Sequence, residues 1–324
     1  MNRKSSIDVL RIISALAVIT IHVVTAPVGH AGDAVVFWMR ERLNLVHNLM
    51  MWSVPVFFMI TGYCLMKKEE CSYKYCLKRV LKYVAVLFTI GLFYALLEQV
   101  YQNGTFSLKI IVTSFLNVVN GNSWEHMWFV YTIIGIYLVM PVLHSFMKNH
   151  PEEICILAVL LFLFTILWQL IGHWLSIRIE FPFGGYLFYV CFGGAVATCK
   201  INKNYISILY FFGFLATISL VTRGGTMVLN YRSLEVALMA MGIFLFVEQL
   251  SVSQNKYIFL IADCTWGIYL IHPLFVNLAL KVFDINLLNG LIYVNLCIFF
   301  VVIFLISFFV VLLLKKIPII KAMF

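Results

Sequence analysis

Apolar positions in this chain fall in long blocks separated by short polar stretches, not in alternation or on one helical stripe. A helix needs about 20 predominantly apolar residues to cross the hydrocarbon of a bilayer. Ten blocks are read on that criterion, at 7–27, 46–66, 76–98, 127–147, 154–173, 184–199, 205–222, 233–250, 257–281 and 288–314, the sixth and seventh being short. The expected fold is all-α: a polytopic membrane protein with about ten transmembrane helices around a polar cavity. In the second block Pro55 and Gly62 interrupt an otherwise apolar helix. Such breaks hold in membranes where the backbone is buried in protein or lines a cavity, and an ordinary kinked helix fits the same residues. The longest outer segment, from about Gln99 to Glu125, reads as a loop. Its Asn103-Gly-Thr105 matches a glycosylation sequon by pattern, for which chance is sufficient.

Composition agrees with this pattern. Hydrophobic residues make up 63% and charged residues 11% of 324, with mean hydropathy +0.99, where a soluble domain carries about 25% charge. One membrane domain over 1–324 is expected, with no separate soluble domain. The net charge of +9 is scattered between apolar blocks, so it reads as a topology signal and not as a nucleic-acid surface. With the N-terminus inside, fifteen Lys and Arg fall on the inner side. Seven fall outside: Arg40, Arg42, Lys109, Arg178, Arg223, Arg232 and Lys281. Positive charge marks the cytoplasmic side, so both termini are expected in the cytoplasm of a cell whose inner membrane holds the chain. The first block has no clear small-residue cleavage site and reads as a retained helix. Eight cysteines show neither a CxxC pairing nor Cys/His metal spacing, so reduced thiols and no metal are expected.

Candidate chemistry begins in the first block, where Asp8, Arg11 and His22 sit in a run apolar enough to span. Ionisable groups there are costly and point to function. Arg11 and His22 are eleven residues apart, close to three turns, so they share a helix face about 16 Å apart along the axis. A cation near one surface and a candidate base near the middle suggest a path with chemistry along it. An interfacial Asp8–Arg11 pair with a packed His22 fits the spacing equally well. Lys78, Arg79 and Lys82 cluster at the inner mouth of the third span, where neighbours three and four apart share a face. The cluster suits a polyphosphate, and also the positive-inside bias with anionic headgroups. His126 and Trp128 open the fourth span at the outer interface. Tryptophan is ordinary there, while a histidine beside it is placed to meet a sugar or another polar acceptor. Tyr269-Leu-Ile-His272-Pro273 brings a second membrane histidine next to a helix breaker. A transporter or flippase of a small polar solute would need such groups too.

Together these segments resemble the membrane-bound acyltransferase-3 family, which includes bacterial carbohydrate O-acetyltransferases. Arg11 followed by ten residues and His22 resembles its Arg-x10-His signature. Ser53-Val-Pro-Val-Phe-Phe-Met-Ile-Thr-Gly-Tyr63 resembles its second-span segment, with Thr61 for the usual Ser. His126-x-Trp128-Phe and Tyr269-Leu-Ile-His272 resemble two further motifs. Where the family usually has Arg-Arg-x-x-Arg, this chain has Lys78-Arg79-Val-Leu-Lys82. Charge is kept there, and the bidentate guanidinium is lost at two positions. The resemblance covers nearly the whole chain.

The resemblance implies acetyl transfer from cytoplasmic acetyl-CoA to a hydroxyl of an envelope carbohydrate or its lipid-linked precursor. The CoA thioester would meet Lys78, Arg79 and Lys82, with Arg11 further in. Tyr63, His126, Trp128, Tyr269 and His272 would meet the acceptor. His22 would be the catalytic group with Arg11, as general base or through a transient acetyl-histidine. Some members carry an extracytoplasmic hydrolase-like domain. This chain ends at Phe324, so it is expected to finish the transfer itself, as a monomer or homo-oligomer, or with a separate extracytoplasmic transferase partner. A non-catalytic subunit of an envelope assembly is the remaining class.

Overall fold

The computed structural model describes residues 4–175, 185–199, 208, 211–215, 218 and 228–324. All regular structure among them is helical. In chain order the helices are α1 (Ser5–Ala31), α2 (Phe37–Met50), α3 (Ser53–Met66), α4 (Tyr73–Val86), α5 (Leu92–Asn103), α6 (Leu108–Val119) and α7 (Trp128–Asn149). They continue with α8 (Glu153–Leu175), α9 (Leu187–Thr198), α10 (Leu234–Glu248), α11 (Lys256–Asn277), α12 (Ile292–Leu314) and α13 (Pro318–Met323). Among the described residues six stretches are long and apolar enough to cross a membrane: Ser5–Ala34, Phe37–Met66, Tyr73–Asn103, Glu125–Asn149, Lys256–Val282 and Ile292–Leu314. These fall on the first to fourth, ninth and tenth expected spans. Of the others, α8 covers the fifth, α9 and α10 give the sixth and eighth only short helices, and the seventh, 205–222, lies mostly outside the described residues. So do Arg178, Lys200, Lys203 and Arg223 of the charge count.

Packing groups the chain into two compact units, one from Met1–Lys68 with His150–Leu312 and one from Glu69–Asn149 with Leu313–Phe324. In the first unit α1 packs against α2, α3, α10 and α11, and α3 lies along α9. Most of α3 is buried, from Ser53 to Met66, as an all-round apolar helix requires. Its contact with α9 is backbone against backbone. A Cβ added at Gly62 would sit 1.9 Å from the Val190 carbonyl oxygen, and one at Gly193 would sit 2.0 Å from that of Met59. Small residues allow this approach in membranes, where close packing drives association. Gly62 therefore interrupts nothing: α3 runs through it to Met66, and the break falls earlier, at the Met51–Trp52 turn. Pro55 sits in the first turn of α3, where a missing N–H is cheap. Arg40 donates to the Gly32 carbonyl at 2.7 Å at the end of α1, a favoured place for a cation.

In the second unit α4 packs on α7 and α5 on α6. A π-helical segment, Leu87–Gly91, joins α4 to α5. Gly104 ends α5 at φ +67°, the left-handed conformation glycine adopts freely. The segment expected to be a loop contains α6, with Ser107 capping it through the Ile110 N–H.

Candidate active site

In the first unit α1 lies against α11, which brings His22 beside His272. Their ring centroids are 5.1 Å apart with planes at 62°. His272 is fully buried, and its Nδ1 lies 2.9 Å from the Ile268 carbonyl oxygen. A carbonyl oxygen only accepts, so Nδ1 carries the proton and Nε2 is the basic nitrogen. Pro273, within α11, lacks the N–H that would bond one turn back. Tyr269 stands 6.3 Å from the His272 ring and stacks on Trp266 at 5.7 Å. His22 retains some accessible surface, which a group that must meet a substrate needs.

A third histidine belongs here and escapes the sequence reading. His47 of α2 is buried, on a helix packed against α1. Its Nδ1 is 3.2 Å from Asn48 Oδ1. That same atom accepts the Leu229 N–H at 2.9 Å, which fixes it as the amide oxygen. His47 therefore also presents a protonated Nδ1 to its neighbour and a basic Nε2. The available signal was a His-Asn pair inside an otherwise apolar block.

Toward the N-terminal end of α1, Arg11 donates to Asp8 Oδ1 at 3.0 Å and reaches Cys64 Sγ at 3.6 Å. The buried carboxylate in the first turn suits the helix dipole and holds the guanidinium in place. A cleft of about 330 Å³ opens beside Asp8, lined by Ser5, Gln254, Asn255, Lys256, Ile258 and Phe259. This cleft lies at the beginnings of α1 and α11, not at the His22 level. Nearby, Glu248 of α10 accepts from Tyr63 at 3.0 Å and from Lys4 at 2.5 Å, and its carbonyl accepts from Ser6 at 3.1 Å. The Tyr63 hydroxyl is thus bonded inside the protein, a partnership invisible in sequence. Tyr63→Phe is expected to cost about 1 kcal/mol of stability and to leave the Michaelis constant for acceptor unchanged. A large rise in that constant would place Tyr63 at the acceptor site.

In the second unit Ser72 caps α4. Lys78 is exposed, Lys82 is partly buried, and Arg79 lies over the Tyr75 ring at 5.4 Å with its Nε 3.3 Å from the hydroxyl. His126 is buried in a 3₁₀ turn, Glu125–Met127, and α7 begins at Trp128. The His126 ring meets Tyr94 and Trp124 edge-on at 5.5 and 6.3 Å, while Trp128 meets Phe129 at 6.2 Å. The candidate residues therefore form two sets: Arg11, His22, Tyr63, Tyr269 and His272 in the first unit, and Lys78, Arg79, Lys82, His126 and Trp128 in the second.

Buried histidines on apolar helices of spanning length are the marks of an integral membrane protein with internal polar chemistry. Residues 4–316 match the acyltransferase-3 family model, an acyltransferase domain, and the chain belongs to this family. It is also similar to an amino-acid racemase of Enterococcus faecalis, at 34% identity over 152 residues, or 44% of this chain and 20% of that protein. The chain thus spans about a fifth of that relative's length. No solved structure matches it.

Proposed function

We propose that the protein moves an acetyl group from cytoplasmic acetyl-CoA to a hydroxyl of an envelope carbohydrate or its lipid-linked precursor. The work is done in the inner membrane, with both termini cytoplasmic. The observation that carries the reading is the His22–His272 pair three turns along α1 from Arg11. His22 takes the proton of the acceptor hydroxyl as its oxygen attacks the thioester carbonyl. The C–S bond breaks, CoA leaves as thiolate, and the proton on His22 returns to that sulfur or to water. His272, with its Nδ1 tied to Ile268, orients the pair. Asp8 holds Arg11 toward the donor. Lys78, Arg79 and Lys82 pair with CoA phosphates, and His126 and Trp128 serve the acceptor.

The test is the purified chain in nanodiscs with labelled acetyl-CoA, scored for thioester turnover. Mass spectrometry of envelope glycans with and without the protein, read for an acetyl mass difference, accompanies it. A transport signal in vesicles without CoA turnover would replace the reading by a transporter. Neutralising Lys78, Arg79 and Lys82 together is expected to weaken CoA binding at least about tenfold, since each charge-assisted phosphate bond is among the stronger polar contacts. Unchanged affinity by calorimetry would assign the three to lipid headgroups.

A further inference from the structure

The turn before α7 builds an aromatic platform around Trp124, a residue to which the function above gives no role. The Ser123 hydroxyl donates to the carbonyl of Gly91, the last residue of the π-helical segment, at 2.9 Å. That bond fixes the chain just before Trp124, whose indole lies flat on Tyr94 with centroids 4.1 Å apart and planes at 5°. Tyr94 is 1% exposed, so the stack stands on the protein interior, and His126 closes one edge. Trp124 Nε1 donates to Glu98 Oε2 at 3.3 Å, and Gln102 Nε2 donates to Glu98 Oε1 at 3.1 Å. Both carboxylate oxygens are held by neutral donors. Trp124 keeps accessible surface, and Gln102 is exposed. A tryptophan that anchors a protein at the bilayer surface turns its N–H toward headgroups and water. Here the N–H is bonded to a protein carboxylate.

We propose that the indole face opposite Tyr94, with Glu98 and Gln102 at its edge, binds a pyranose ring of a carbohydrate. A pyranose offers a face of C–H bonds that packs on an aromatic plane, and a rim of hydroxyls that both donate and accept. A carboxylate is an acceptor toward sugar hydroxyls, and the Gln102 amide supplies both a donor and an acceptor. An ammonium group would be drawn to the same indole and carboxylate, but it has no acceptor for the amide N–H groups. The inference rests on the carbohydrate-acceptor half of the function above, and not on which residue is the base.

The test is saturation-transfer NMR on the full chain in nanodiscs, with glucose and N-acetylglucosamine as probes and choline as the cationic comparison. Saturation is expected on the ring C–H protons of a sugar. Trp124→Ala should weaken the apparent affinity about tenfold, Glu98→Gln less, and Trp124→Phe least. If Trp124→Ala does not fold by size-exclusion chromatography, Glu98→Gln carries the comparison, because it preserves shape. Saturation of neither sugar, saturation of choline in their place, or equal sugar signals in wild type and variants overturns the proposal. Acetyl-CoA turnover by the same preparation with the sugars present is read separately. Sugar saturation without turnover keeps the platform and overturns the transfer reading. Turnover without saturation overturns the platform alone.

Discussion

Replacing His22 by Gln is expected to lower acetyl transfer by about 10²–10⁴-fold, the usual worth of a general base, while CoA stays bound. Gln keeps size and polarity but cannot take up the proton as imidazole does. The separation of effects follows from the helix: Arg11 and the Asp8 carboxylate that holds it lie three turns away, beyond reach of the His22 side chain. Arg11→Ala should behave differently, weakening donor binding together with turnover. His272→Phe preserves the ring packing against His22 and removes Nε2, so a positioning role predicts a lower turnover number at an unchanged Michaelis constant for acetyl-CoA. Turnover by His22→Gln within a few-fold of wild type would make His22 a packing residue. The base would then be sought at His272, His47 or His126.

The largest loss of stability is expected from Gly193→Ala or Gly62→Ala. The added methyl would lie at 2.0 or 1.9 Å from a carbonyl oxygen of the facing helix, and backbone on both sides cannot turn aside as a side chain would. Separating α3 from α9 opens their whole contact, for which about 3 kcal/mol, the upper range for overpacking, is the expected minimum. Gly29→Ala is the control, because a Cβ there meets nothing within 4 Å and alanine favours a helix. The measurement is thermal unfolding in detergent, followed by retention on size-exclusion chromatography. If the Gly193 and Gly29 variants melted together, the α3–α9 crossing would be looser than described.

Hydropathy made the long spans legible because a bilayer imposes one length on any helix that crosses it. The same criterion failed where that length does not apply. The twelve-residue α6 lies below it, so hydropathy alone gives a loop there. The polar beginning of α2, with Arg40, Glu41 and Arg42, hid a helix that starts at Phe37. Within the site, the shared face of Arg11 and His22 follows from the 3.6-residue repeat alone. The approach of His22 to His272, and of Tyr63 to Glu248, joins residues far apart in sequence, and no local pattern carries it. His47 leaves no mark on hydropathy because a single polar pair does not alter the average of an apolar block.

The glycine contact also bears on how the protein is made. Gly62 and Gly193 are 131 positions apart (193 − 62), and ribosomes add about 5–20 residues per second. On that schedule α3 enters the bilayer roughly ten seconds before α9 exists, and the segment Glu69–Asn149 of the other unit is synthesised in the interval. Throughout that time neither the Gly62–Val190 nor the Gly193–Met59 contact exists, and the groove at Gly62 faces lipid or a provisional neighbour. The step that joins α3 to α9 is therefore late, and membrane insertases or chaperones would have this open groove to guard.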